Sequence, residues 1–188
     1  IDDRLLESTN AEPMGRPTVL GSRNSVTYGE GMKGMGIDIF IDLRNTAYTI
    51  TSEVAVDAKG NGVIVCQGGR FGGFSLYLKN GKPAFTYNYL GMESTDIIAS
   101  ETLKPGNYKL VFDFKYDGGG MGKGGVGTIL VNDKKVVEKR IVKTQPGAFS
   151  VDDLADIGID EGTHVADYGS SSKFNGKISY VTVERKKE

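Results

Sequence analysis

V-C-Q-G-G-R-F-G-G-F-S-L-Y-L-K-N-G-K, residues 65–82, is the stretch from which the fold can be read. Phe74, Leu76 and Leu78 alternate with Ser75, Tyr77 and Lys79, the two-residue period of a strand with two distinct faces. Asn80-Gly81 follows, a dipeptide that readily takes the positive dihedrals of a tight hairpin turn. The return strand covers residues 84–89, with Phe85, Tyr87 and Tyr89 on one face. Upstream, the apolar run 62–66 reads as a short strand that ends at Cys66, the single cysteine, beside a dense glycine cluster. Strands this short, joined by glycine turns, point to antiparallel pairing.

The pattern continues outward. On residues 48–56, Tyr48, Ile50, Val54 and Val56 share one parity, and Thr49, Thr51 and Glu53 take the other. Residues 108–116 carry the most regular alternation in the chain, with Tyr108, Leu110, Phe112, Phe114 and Tyr116 along one face. Further strands are expected at 24–28, 95–100, 127–131, 135–141 and 175–184, with a hairpin around Asn132-Asp133. Residues 37–41 form another apolar run, Lys104-Pro105-Gly106-Asn107 is a turn, and residues 29–36 and 118–125 read as glycine loops. Residues 151–168 are acidic and irregular in pattern. Residues 2–6 have the pattern of a helical turn, which Pro13 and Pro17 then interrupt. No long amphipathic helix is evident, and no helix-length crossover separates the strands. The expected architecture is therefore all-β, an antiparallel two-sheet β-sandwich. Residues 1–22 read as an incoming arm and 23–188 as the sandwich domain.

The 188 residues suffice for one domain with a sizeable core, or one domain and an arm. A hydrophobic content of 38% with 25% charged residues excludes a disordered chain. The net charge of −1 removes the broad positive field of a nucleic-acid binder, and no apolar run has membrane-spanning length. One cysteine excludes an internal disulfide. The 27 glycines follow no collagen period and fit many tight turns. The chain opens at Ile1 with no methionine and no signal-like segment, the expectation for a processed protein or a piece of a longer one.

Several motifs resemble chemistry that their context denies. Gly120-Met121-Gly122-Lys123-Gly124-Gly125 matches G-x-G-x-x-G, but a dinucleotide site needs a helix after it, and a strand is expected here. His164 lies in an acidic loop with no nucleophile placed beside it, which suits a solvated or structural role. Asp152, Asp153, Asp156, Asp160, Glu161 and Asp167 form the one acidic cluster. Hard cations take several oxygens from such loops, so Asp156, Asp160 and Glu161 are candidate ligands for a structural calcium, against the alternative of a solvated acidic loop. Tyr77, Tyr87 and Tyr89 are candidates for a sugar-stacking face, against core and cross-strand packing. A sandwich glycosidase needs paired carboxylates across a groove, and Asp113 stands alone between Phe112 and Phe114.

Over residues 15–183 the chain resembles the C-terminal domain of bacterial arylsulfatases. The resemblance rests on G-R-P-T-V-L-G-S-R-N-S-V-T-Y-G-E-G-M-K-G-M at 15–35, Q-G-G-R-F-G-G at 67–73, the 79–89 hairpin and Y-D-G-G-G-M-G-K-G-G at 116–125. It implies a jelly roll of the concanavalin A/laminin G type and a separate N-terminal catalytic domain that holds the formylglycine and calcium. Cys66-Gln67-Gly68-Gly69-Arg70 has only the outer frame of the nucleophile signature C-x-P-x-R, with Gly68 in place of proline and a strand after it, so no catalytic residue is carried over. The resemblance further implies that the chain alone is not an enzyme, that its partner is the catalytic domain of the same parent chain, and that the setting is periplasmic or secreted. Arg70, Phe71 and Lys123 would then border the cleft for a sulfated glycan or aryl sulfate ester, arginine offering a rigid fork to a planar anion. The alternative is a free-standing, lectin-like carbohydrate-binding module.

Overall fold

The computed structural model describes residues 19–57, 59–149 and 154–186. These contain eleven strands and no helix: β1 Ser25–Tyr28, β2 Tyr48–Val56, β3 Gly62–Gly69, β4 Gly72–Lys79, β5 Lys82–Tyr89, β6 Glu93–Ile98, β7 Gly106–Tyr116, β8 Lys123–Val131, β9 Lys134–Lys143, β10 Ala155–Ile157 and β11 Lys177–Arg185. A six-stranded sheet runs β1-β11-β2-β7-β8-β9, and a five-stranded sheet runs β10-β3-β4-β5-β6. Every pairing is antiparallel. The fold is a jelly roll, an all-β sandwich of two antiparallel sheets.

The alternation read from the sequence is what packs the sheets together. On β2, Tyr48, Ile50, Val54 and Val56 are buried, and opposite them on β7 so are Leu110, Phe112 and Phe114. The inner face of the five-stranded sheet contributes Phe74, Leu76 and Leu78 from β4 and Phe85 and Tyr87 from β5. Phe85 from one sheet stacks on Phe112 from the other, ring centroids 3.5 Å apart and 6° from parallel. Burial of aromatic pairs of this kind dominates the stability of a sandwich core, each ring contributing about 3–5 kcal/mol against truncation to alanine. The close fit extends to β8, where a Cβ on Gly127 would lie 2.7 Å from Ile97 Cδ1 and 2.9 Å from the Phe112 ring.

The two outer faces differ. On the six-stranded sheet the outer face is polar, with Thr27, Thr182, Thr49, Asp113 and Thr128 among its side chains, and Thr27 and Thr182 bond across the strands at 2.8 Å. On the five-stranded sheet it is covered by residues 158–175, which cross it as a strap. Val63, Cys66, Tyr77 and Ala84 face outward from the sheet and pack against Val165 and Tyr168 of that strap. Edge strand β9, K-K-V-V-E-K-R-I-V-K, is lysine-rich, which opposes pairing with another chain. Its Lys139 ammonium donates to Asp96 O on β6, clasping the two sheet edges at 3.0 Å.

Three details depart from the sequence expectations or fill in what they left open. The acidic segment holds a short strand, β10, which pairs with β3 while Met35 bridges to Ala155 from its other side. Strand β3 runs past Cys66 to Gly69, and β8 begins at Lys123, inside the expected glycine loop. The apolar run 37–41, to which the sequence assigned no element, forms turns; Tyr28 donates its hydroxyl to Ile39 O and accepts from Ile41 N, which anchors it. The helical turn expected at 2–6, and most of the arm, lie outside the described residues.

Candidate functional site

At one end of the sandwich, turns from both sheets meet. The β3–β4 turn presents Arg70 and Phe71 from a narrow neck. Gly68 has φ +83°, and a Cβ there would overlap Gly72 O, as one on Gly73 would overlap Gln67 O. The paired glycines of Q-G-G-R-F-G-G therefore let two backbones approach where side chains have no room. Asn88 on β5, 7% exposed, fixes this turn to its neighbour. Its Nδ2 donates to Gly69 O and Arg70 O, both at 3.0 Å, and its Oδ1 accepts from Gly91 N of the β5–β6 turn at 2.9 Å. A further bond, from Arg70 N to Thr163 Oγ1, ties in the strap.

The six-stranded sheet brings Lys123 and Lys143 to the same end, since they are register partners on β8 and β9. Lys143 reaches across to the other sheet, with its ammonium 4.4 Å from the centre of the Tyr89 ring and 2.9 Å from Glu93 Oε1. The bond to Glu93 holds its pKa above the usual lysine value. The β7–β8 loop is pinned at its base: Tyr116 Oη donates to Gly120 O and accepts from Lys123 N, and Gly122 N donates to Asn45 Oδ1. Among the described residues, neither Arg70 nor Lys123 forms an ion pair. Three apolar side chains stand out from the turns: Phe71 at 65% exposure, Met92 at 70% and Met121 at 74%.

The predicted cleft residues Arg70, Phe71 and Lys123 are thus brought to one end. The tyrosines are not. Tyr87 is buried between the sheets, its hydroxyl accepting from Gln145 N, and burial raises its pKa. Tyr77 points to the opposite face of the sheet and is buried under the strap, edge-on to Tyr168 at 5.1 Å. No exposed face is shared by Tyr77, Tyr87 and Tyr89; only Tyr89 reaches the rim, half-buried under Lys143. Alternation assigns a side chain to a face, but here both faces of the five-stranded sheet are covered.

The acidic residues of β10 and the strap work mainly within the protein, while Asp152 and Asp153 of the predicted cluster lie outside the described residues. Asp156 accepts from Gly34 N and Glu161 N, and Glu161 pairs with Lys33. Asp160 Oδ2 accepts from Val165 N at 2.9 Å and from the Tyr168 hydroxyl at 2.5 Å, while its Oδ1 is buried without a partner among the described residues. Burial raises the Asp160 pKa, against the lowering effect of those two bonds. The exposed His164 lies against Tyr168, ring centres 5.4 Å apart. Among the described residues, no group of three or more His, Cys, Asp or Glu is placed to hold a metal ion. Nor is any helix there long and apolar enough to cross a membrane.

Sequence reasoning missed Asn88, Lys143, Met92 and Met121. For Asn88 one signal exists: asparagine is depleted from strands, and here it sits in β5 between Tyr87 and Tyr89.

No protein-family model matches the chain, and no curated protein matches it in sequence. Solved structures do share its fold. A heptameric SAP-like pentraxin from Limulus polyphemus is 13% identical with a TM-score of 0.50, over 88% of this chain and 78% of that one. The LG1–3 region of the laminin α2 chain is 12% identical with a TM-score of 0.49, over 86% of this chain and 29% of that one. The CBM40 of Ruminococcus gnavus IT-sialidase, bound to α2,3 sialyllactose, is 13% identical with a TM-score of 0.49, over 87% and 90%. At these identities the likeness is one of fold alone, a jelly roll shared with the pentraxin.

Proposed function

We propose that this chain is a non-catalytic binding module that takes an anionic glycan at the end formed by the β3–β4, β5–β6 and β7–β8 connections. The observation that carries the reading is the meeting there of exposed Phe71, Met92 and Met121 with Arg70 and Lys123, which are free of ion pairs among the described residues. Apolar side chains grouped on a surface mark interaction sites. A ring beside a guanidinium matches a sugar's apolar face and its sulfate or carboxylate. Two acids at this end are engaged, Glu93 by Lys143 and Asp117 by Arg140.

The test is calorimetric titration of the chain with chondroitin sulfate and hyaluronan oligosaccharides. Binding should weaken as salt is raised, and Arg70→Ala with Phe71→Ala should lower affinity about tenfold at unchanged stability, both side chains being exposed. Absence of binding to both glycans, or an unchanged affinity in the double variant, overturns the proposal.

A second reading makes the module an ancillary domain beside a sulfatase catalytic domain, with the same exposed side chains forming the contact. The resemblance of residues 15–35, 67–73 and 116–125 to the arylsulfatase C-terminal domain favours it. An upstream reading frame without a C-x-P-x-R or S-x-P-x-R motif would exclude this reading, and aryl sulfatase activity in the pure chain would sink the non-catalytic part of both.

A further inference from the structure

At the end opposite Arg70 and Lys123, the sheets leave part of the core uncovered. A groove of about 360 Å³ opens there, between the residues that follow β6 and the turn that begins β9. Its floor includes Leu103, Tyr108, Val131 and Val136, all half-buried and packed against the main core. The β8–β9 pairing slips by a residue between Ile129 and Leu130, just before this turn, so the hairpin tip does not continue the register that closes the sandwich further up. Tyr108 is held in place as a wall, since its hydroxyl donates to Lys104 O at 3.0 Å.

The charge around this floor is one-sided. Lys104, Lys134 and Lys135 line the groove, against Glu101 as its one acid. Among the described residues Lys104 and Lys134 have no ion-pair partner, and Lys135 has only a 3.4 Å contact to the exposed Glu138. An apolar floor under an ammonium rim selects a ligand with an apolar body and an anionic end. The volume lies near the lower end of the small-molecule range, roughly 300–1,000 Å³. The fixed tyrosine ring favours a flat body.

We infer that this groove binds a small aromatic carboxylate or sulfonate, its ring on Tyr108 and Val136 and its anion on the lysines. The site is separate from the proposed glycan site, and either can fail without the other.

The experiment is a nuclear magnetic resonance titration of the ¹⁵N-labelled chain with 2-naphthalenesulfonate. Saturable shifts should concentrate at the amides of Leu103, Val131 and Val136. The uncharged 2-naphthalenemethanol, and the parent ligand on a Lys134→Glu/Lys135→Glu variant, should each bind about tenfold more weakly. Lys104→Gln with Lys134→Gln gives the same readout with smaller perturbation should the reversed charges impair folding. Shifts confined to other surfaces, equal affinity for the alcohol, or unchanged binding in folded variants would overturn the inference.

Discussion

Replacing Asn88 with alanine tests whether one buried amide holds the candidate site together. The side chain makes three hydrogen bonds, two donated to Gly69 O and Arg70 O and one accepted from Gly91 N. At about 1 kcal/mol for each net bond, their sum is about 3 kcal/mol. Arg70 O and Gly91 N lie at turns where water can enter the vacated space, so the expected loss is about 2 kcal/mol. Urea unfolding measures it, and hydrogen exchange at Gly91 should accelerate beyond what global unfolding explains. Asn88→Asp sharpens the test, because it keeps the acceptor for Gly91 N but turns a carboxylate toward two carbonyl oxygens. Above the carboxyl's folded-state pKa it should cost more than alanine does. Those carbonyls favour the protonated form, so that pKa lies above the unfolded value of about 3.9. The extra penalty is therefore full at neutral pH and disappears as pH falls through the folded value. An alanine loss below about 0.5 kcal/mol, with Gly91 exchange unchanged, would refute the role assigned to Asn88.

Two further outcomes are expected. Gly127→Ala inserts a Cβ at 2.7 Å from Ile97 Cδ1 and 2.9 Å from the Phe112 ring, so thermal or urea unfolding should show a loss of about 1–3 kcal/mol, and a neutral result would mean the sheets separate more easily than the packing implies. Asp160 is buried with its pKa raised, so the native state holds its proton to higher pH than the unfolded state; its contribution makes stability fall as pH rises through the folded value, and urea midpoints followed from about pH 4 to 8 should show that slope weakened in Asp160→Asn.

Where one face of a strand is buried and the other meets water, the sequence was readable. Strands β2 and β7 are the clearest cases, with Tyr48, Ile50, Val54 and Val56 buried on β2 beside Phe114, Phe112 and Leu110 on β7, although Ser52 is buried among them and Val111 is buried on the other face. The Asn80-Gly81 turn was readable for a different reason: both residues have positive φ, at 52° and 76°. Strand β10 was not readable, because three residues show no period and its existence depends on β3 and Met35, far away in the chain. Tyr77 was misplaced by the same blindness to distance. It does face outward from its sheet, but the strap that covers it lies near residue 168. At the site, glycines bracketing Arg70 and Phe71 announced a projecting turn. Lys143 carried no local mark, since its role depends on Glu93, 50 residues earlier, and on the Tyr89 ring.

Strands β1 and β11 lie side by side, with Ser25 opposite Glu184 and Arg185 N donating to Asn24 O at 2.7 Å. A tether attached before β1 and another attached after β11 would therefore pull from the same corner of the molecule. The load would fall across the strand pair, and its hydrogen bonds would break singly and in order, as in peeling, without the shared resistance of strands sheared lengthwise. Strand β11 also pairs with β2, and Lys186 N donates to Ala47 O, so the same corner would load both pairings of β11. The geometry puts the point where such a pull would start to peel the sheet at this corner, where β11 meets β1 on one side and β2 on the other.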